Sequence, residues 1–385
     1  MLLKNCITVD DYHRRARRIL PSAIFHYLAG GADDEWSVSN NESAFGRYEL
    51  MPEYLRDISE IETATTVLGA KLSTPVILSP TGMSRLFHHE KEFGVARAAE
   101  KAGLMYSLST MATASIEEVA ASSSGAKMFQ IYIHKDRSLT DEFVDRAKSE
   151  GYQALCLTVD TPLAGNRERD RRSGFEIPPR LGLGSLLNFA LHPRWSFNLL
   201  RHPDFGLANL VSRGDALGTG PVGVIGYVNG QFDRTVTWDD VAGIIERWGG
   251  PFAIKGLQSP RDAVRAVDVG ASAVMISNHG GRQLDFAPAP IDCVQPMRDK
   301  IGDKLELIVD GGVRRGTDVL KALALGANSV SIGRPYLYAL AAGGEAGVTQ
   351  YLINLKEEIS RNMALLGVKN LAEISNRCIL QRLQS

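Results

Sequence analysis

Four cysteines occur in 385 residues, and they lie far apart, at Cys6, Cys156, Cys293 and Cys378. No CxxC pair and no ligand spacing accompanies them, so neither a metal site nor a disulfide framework is expected. The net charge is -1 with the basic residues dispersed, which argues against a nucleic-acid partner. No apolar run reaches the roughly 18 residues that a transmembrane helix needs. The N-terminal residues soon turn charged, with Arg14, Arg15, Arg17 and Arg18, and read as no secretory signal peptide. A cytoplasmic chain is the expectation. A phosphate loop after the first strand, the mark of a doubly wound nucleotide-binding sheet, is also missing. Gly218-Thr-Gly220-Pro-Val-Gly223 matches GxGxxG, with Asp239 and Asp240 about 20 residues on, but it follows no strand-like run and contains Pro221. A nicotinamide-binding Rossmann domain is therefore set aside.

What is present is an ordinary globular composition, 44% hydrophobic and 23% charged. Residues 10 to 30 read as an arginine-rich helix punctuated by Pro21 and closed by Gly30-Gly31. From about residue 70 a regular rhythm begins. Short apolar runs span 75–80, 105–109, 128–133, 154–160, 252–255, 273–277, 305–310 and 329–332. Helical stretches such as 90–102, 141–150, 260–269 and 317–325 stand between them. Eight βα units in series predict an α/β fold closed as a (β/α)8 barrel, with reactive groups at the C-terminal ends of the strands. Such barrels exceed the usual domain size, so one domain over 1–385 is expected, with its barrel core at about 70–340.

One interval is too long for a single helix. Residues 161–250 separate the fourth and fifth runs, and an insertion or lid is expected over 175–235. Within it, Leu181 to Pro203 interleaves leucine, Phe189, Trp195 and Phe197 with Arg194, Arg201 and His202. That mixture suits a membrane interface; a lid helix packed on the barrel or an oligomer contact are the plainer readings.

The candidate chemistry falls at the strand ends. Ser277-Asn278-His279-Gly280-Gly281-Arg282-Gln283-Leu284-Asp285 places a histidine beside two glycines that let backbone approach a ligand. An imidazole titrates near neutrality and suits a general base, while a guanidinium is fitted to grip a carboxylate. Singly, each would pass for a solvated surface residue; together at a strand end they point to catalysis. Asp160 suits either a partner that orients His279 or a loop hydrogen-bonder. Asp310-Gly-Gly312-Val-Arg314 and Gly333-Arg334 occupy the loops where barrel enzymes commonly hold a phosphate. Lys255 reads as a Schiff-base nucleophile or, beside that site, as a fixed positive charge. Gln130 and Tyr132 alternate on the third run and so face one way.

These strings resemble one family, the FMN-dependent L-2-hydroxy-acid oxidases and dehydrogenases. Ser79-Pro80-Thr81-Gly82, Gln130-Ile-Tyr132, the 277–285 string and Asp310 to Arg314 carry the resemblance, which extends from Phe25-His-Tyr27 to the C-terminal helices. It implies FMN as cofactor and a small 2-hydroxy acid, L-lactate first, as substrate. It implies His279 as base, Asp160 as its partner, and Tyr27 and Arg282 on the substrate carboxylate, with Arg167 assisting. Tyr132 would touch the hydroxyl oxygen. Pro80, Thr81, Gly82, Ser109, Gln130, Thr158, Lys255 and Ser277 would surround the flavin ring, and Asp310, Gly312, Arg314, Gly333 and Arg334 the ribityl phosphate. Glycine at position 82 is commoner in dehydrogenases than in soluble oxidases, and His192-Pro-Arg-Trp195 resembles the respiratory lactate dehydrogenases. Asn166 to Asp170 is similar to mandelate dehydrogenase. The implied acceptor is quinone or another carrier, at the cytoplasmic face of an inner membrane. A soluble oxidase passing electrons to O2 is the alternative. The resemblance also implies a homotetramer.

Overall fold

The structure, a computed structural model, describes residues 2–174, 190–203, 205–210 and 232–381. Alternation along eight short strands decides what fills its centre. The strands, numbered β1 to β8 in chain order, are Val76–Thr81, Met105–Ser109, Lys127–Ile131, Ala154–Thr158, Phe252–Leu257, Ala273–Ser277, Glu306–Asp310 and Ser329–Ile332. All neighbours are parallel and β8 pairs with β1, closing the barrel. Successive side chains point to opposite faces of a strand, so each strand carries one set outward and one inward. The outward set, including Leu78, Phe129, Leu155, Ile254, Ile276 and Val309, packs under the surrounding helices.

The inward set divides by height. Ile77, Met105, Met128, Cys156, Met275 and Ile308 form a buried apolar layer low in the barrel. Higher along each strand the inward character changes to Ser79, Ser109, Gln130, Thr158, Lys255, Ser277, Asp310 and Ser331; β2 reaches Ser109 past the buried Ser107, and β8 carries Ser329 where the other strands are apolar. Each strand thus contributes one polar residue to the upper layer. The register sets Ser277 and Ser331 beside Asp310, Thr158 beside Lys255, and Ser109 beside Gln130. A hairpin of Thr65–Val67 and Ala70–Leu72 plugs the lower end, where Val67, Leu68, Ala70 and Leu72 join the apolar layer. The Leu68 amide donates to the carboxylate of Glu306, fixing the plug to β7.

Several boundaries differ from the sequence expectation. Pro21 divides the N-terminal stretch into two helices, Val9–Ile19 and Ser22–Ala29, because its ring presets the backbone but offers no amide to continue the first helix. The third strand stops at Ile131, so Tyr132 follows it rather than alternating within it. Asp160 lies two residues beyond β4, on the loop rather than at the strand's end. Helix Trp36–Ser43 and the short antiparallel pair Tyr48–Leu50 with Ile379–Gln381 carry no strong sequence signal. The last helix, Arg334–Leu366, is broken at Gly343-Gly344, where Gly344 is left-handed at φ 61°.

Of the insertion, the described part includes helix Pro193–Arg201. Trp195 is buried and its indole N–H donates to the Leu86 carbonyl at 2.7 Å. Asn198 meets His89 at 2.6 Å, and His89 stacks on His202 with ring centres 4.6 Å apart. Leu191, Phe197 and Leu200 are exposed instead. The remainder of 181–203, at 181–189, lies outside the described residues, as does the 218–223 glycine string. Among the described residues no helix is long and apolar enough to cross a membrane.

Candidate active site

At the barrel's upper end the polar layer forms one hydrogen-bonded network around Asp310. The Lys255 ammonium, 4% exposed, lies 3.2 Å from one carboxylate oxygen of Asp310 and donates to the Ser277 hydroxyl at 3.2 Å. Ser277 in turn donates to that same Asp310 oxygen at 2.8 Å. Ser79 donates to the other oxygen and meets Ser331 at 2.6 Å. Burial alone would neutralise both charged groups, but here each holds the other ionised. Burial disfavours the charged lysine, yet Asp310 and Asp160 outweigh it and raise the Lys255 pKa above its ordinary value. Burial likewise opposes the charged aspartate, while Lys255, Ser79 and Ser277 hold Asp310 below the usual carboxylate value. On the far side, Ser109 donates to the Gln130 side-chain oxygen at 2.9 Å.

His279 stands on the loop after β6 with φ 58°, a left-handed conformation uncommon for a residue with a β-carbon. Its amide donates to Ser277 Oγ at 3.0 Å, and its Nδ1 meets Asp160 Oδ1 at 2.9 Å. An ionised carboxylate accepts the Nδ1 proton, so the lone pair sits on Nε2. Burial pushes the His279 pKa below the usual imidazole value; Asp160 opposes that and Lys255 adds to it. Burial works against ionised Asp160, but His279 and Lys255 prevail and hold its pKa low. The pair at neutral pH is therefore imidazole and carboxylate. Gln283 fixes the Asp160 loop by donating to the carbonyls of Asp160 at 2.9 Å and Leu163 at 2.7 Å.

Two guanidinium groups crowd Tyr27. The Arg282 carbon lies 5.0 Å and the Arg167 carbon 5.3 Å from its ring centre, both within cation–π range. Arg282 Nη1 donates to the carbonyls of Tyr27 at 2.8 Å and Gly30 at 3.1 Å. Burial, aided by the charge of Arg167, pushes the Arg282 pKa down to about 10, so it stays charged at neutral pH. Arg167 Nε lies 3.5 Å from the carboxylate of Asp170.

Around the loops after β7 and β8, Gly311 and Gly312 hold φ values of 141° and 82°. A β-carbon on Gly312 would stand 1.9 Å from the Asn41 carbonyl oxygen, so only glycine fits. Arg314 pairs with Glu42 at 2.7 Å, and Arg334 donates to the carbonyls of Gly280 and Gly30, each at 2.8 Å.

Every site residue named from the sequence lines one cavity of about 260 Å3, except Asp160 and Ser277, which stand behind its wall and touch its lining. Other participants carry no role legible in the sequence. Ser79 and Ser331 complete the Asp310 network. Asn41 and Asn278 exchange side-chain hydrogen bonds at 2.8 and 2.7 Å, tying helix Trp36–Ser43 to the His279 loop. Asp285 accepts the amides of Ser37 at 2.8 Å and Trp36 at 3.3 Å, which secures the start of that helix. Gly256 lies beyond the fifth apolar run as read from sequence, inside the strand Phe252–Leu257.

The donor set fits a phosphorylated ring cofactor: two arginines and close-approach glycine backbone at one end, a buried lysine and an amide at the other. An eight-stranded α/β barrel with that cradle, a histidine–aspartate pair and an arginine-lined rim defines a cofactor-dependent barrel oxidoreductase. Comparison with known proteins makes this specific. The sequence matches the FMN-dependent dehydrogenase family over residues 16–381. It is 41% identical to glycolate oxidase of Spinacia oleracea over 367 residues, 95% of this chain and 94% of that one. Identity is also 41% over 376 residues to a protein of Mycobacterium tuberculosis provisionally named L-lactate dehydrogenase, covering 97% and 89% of the two chains. Among solved structures, the monotopic membrane protein (S)-mandelate dehydrogenase superposes with a TM-score of 0.95 at 36% identity, covering 98% of this chain and 100% of that one. Mandelate oxidase superposes at 0.84 and 36% identity, covering 98% of each chain. The chain belongs to the FMN-dependent dehydrogenase family, and is an FMN-dependent oxidoreductase of the 2-hydroxy-acid oxidase and dehydrogenase type.

Proposed function

We propose that this enzyme oxidises an L-2-hydroxy acid with an apolar side chain to the 2-keto acid, L-lactate to pyruvate being the first reaction to test. The observation that carries the reading is His279: neutral, tied through Nδ1 to Asp160, and lining a cavity whose rim also holds Arg282 and Arg167. Arg282 and Tyr27 grip the substrate carboxylate with Arg167 assisting, and Tyr132 holds the hydroxyl oxygen. His279 Nε2 takes a proton from the substrate, and the Asp160 carboxylate stabilises the imidazolium that results. FMN, when bound, supplies the two-electron acceptor. Asp310, Gly312, Arg314, Gly333 and Arg334 hold its ribityl phosphate. Pro80, Thr81, Gly82, Ser109, Gln130, Thr158 and Ser277 surround its ring, and Lys255 sets a fixed positive charge beside it.

Anaerobic flavin bleaching across L-lactate, glycolate and L-mandelate tests the reading. Bleaching by at least one is expected, and none bleaching would remove it. A second substrate reading, an aryl hydroxy acid, is favoured by Phe87, Met111 and Phe232 on the cavity wall and by the 0.95 superposition on a mandelate dehydrogenase.

We infer further that electrons pass to quinone or another carrier at a membrane surface. Leu191, Phe197 and Leu200 stand exposed beside Arg194 and Arg201 while Trp195 anchors the same helix to the barrel, as an interfacial helix requires. Stopped-flow mixing of the reduced enzyme with air should give slow reoxidation; rapid reoxidation would identify a soluble oxidase instead.

A further inference from the structure

A second cavity, also about 260 Å3, lies behind the first, between β3, β4 and β5 and helix Trp238–Trp248. Its far walls are mostly apolar, with Val159, Val236, Trp238 and Val241 prominent. Four residues face both cavities: Tyr132, Thr158, Thr161 and Phe232. Thr158 is fixed in β4, and Tyr132 belongs to the catalytic face. Phe232 therefore forms the partition, with Thr161 at its edge.

The backbone holds Phe232 at this place from outside the barrel. Residues Phe232 and His134 form an isolated antiparallel bridge, and the Asp233 amide donates to the Ile133 carbonyl at 3.2 Å. The Asp233 carboxylate pairs with Arg137 at 2.7 Å. With its backbone so tied to the chain just beyond β3, the Phe232 ring lies against Tyr132, ring centres 4.8 Å apart. Tyr132 is the group assigned to the substrate hydroxyl, so the partition stands beside the place proposed for the reacting carbon.

We propose that the second cavity receives the distal carbons of the substrate's side chain, and that Phe232 sets how far they reach. The ligand class is an L-2-hydroxy acid with an extended unbranched alkyl chain. The inference rests on the hydroxy-acid reading above. An apolar chain gains by leaving water for such a cavity, about fourfold in binding per methylene buried. A methyl substituent never reaches the partition and gains nothing from its removal.

The test compares kcat/KM for L-2-hydroxyoctanoate with that for L-lactate in the FMN-loaded enzyme. Phe232→Ala should raise the ratio about tenfold or more, and Phe232→Leu should move it in the same direction by less. Adding Val236→Phe, which refills the cavity from its far wall, should reverse the gain. The Leu variant carries the test if the Ala variant does not fold. A ratio within threefold of the parent in the folded variants overturns the proposal, as does a gain that survives Val236→Phe. If no 2-hydroxy acid bleaches the flavin, the functional reading itself fails. Bleaching with an unmoved ratio removes the subsite alone.

Discussion

Asp160 Oδ1 lies 2.9 Å from His279 Nδ1, and His279 makes that contact from a backbone φ of 58°. The neighbouring chain is shaped around the same contact. Gly256 takes φ 107°, and a β-carbon there would stand 2.6 Å from Asp160 Cβ. A strained histidine and an obligatory glycine, on separate strands' ends, thus serve one carboxylate–imidazole distance. Backbone strain of this kind costs on the order of 1–3 kcal/mol and persists where the surrounding structure over-determines it.

Asp160→Asn should lower the rate of anaerobic flavin reduction by roughly 10²- to 10⁴-fold, with FMN retained, because the amide keeps a hydrogen-bonding oxygen but not the charge that stabilises an imidazolium. Rapid-mixing absorbance of the reduced band measures it. A rate within threefold of the parent enzyme would remove Asp160 from the mechanism.

The pH profile follows from the direction of the His279 shift. A protonated imidazole cannot accept a proton, so kcat/KM should fall as pH drops through the pKa of the folded enzyme and stay level above it until Arg282 loses its charge near pH 10. Burial places that pKa below 6.5. Asp160 raises it, so Asp160→Asn should move the acid limb to still lower pH while lowering the plateau. An acid limb at or above 6.5 in the free enzyme would contradict the neutral imidazole.

Lys255→Met leaves the Asp310 carboxylate buried without its ion-pair partner. Breaking such a pair costs about 3–5 kcal/mol, and the unfolding midpoint in urea should fall accordingly. Lys255→Met with Asp310→Asn should recover part of that loss, since no uncompensated charge remains. Strict additivity of the two changes in a double-mutant cycle would show that the 3.2 Å contact contributes nothing.

Phe197→Ser with Leu200→Ser should weaken co-sedimentation with anionic phospholipid vesicles by about tenfold or more, given roughly 1.5–3 kcal/mol for each large apolar side chain buried. Both side chains are exposed, at 64% and 80%, so kcat/KM for the hydroxy acid should hold. Equal vesicle binding by parent and variant would make this face something other than a membrane contact.

The barrel was legible because its strands share one pattern, apolar residues outward and apolar then polar inward, which β8 breaks by placing Ser329 below Ser331. Lys255, Gln130 and Asp310 stood out because charged or amide groups are rare at the ends of apolar runs. Ser79 and Ser331 join the same network without announcing it, Ser79 standing out only as part of the 79–82 string, since a serine at a strand end is unremarked in sequence. The Asn41–Asn278 exchange joins residues 237 positions apart, and no local pattern announces such a pair. Gly256 is demanded by Asp160 across the register of two strands, a constraint that exists only once β4 and β5 are side by side. The hairpin plug was missed for another reason: its two strands of three residues each are too short for periodicity to register.

That plug makes the barrel a blind well. With Val67, Leu68, Ala70 and Leu72 packed into its floor, the barrel interior has its mouth at the upper end. Traffic through the end opposite a closed floor is last in, first out. A cofactor seated on the polar layer must load before any hydroxy acid that binds above it. An acceptor that used the same entrance would give parallel lines in a double-reciprocal plot, and an excess of hydroxy acid would then block its own turnover.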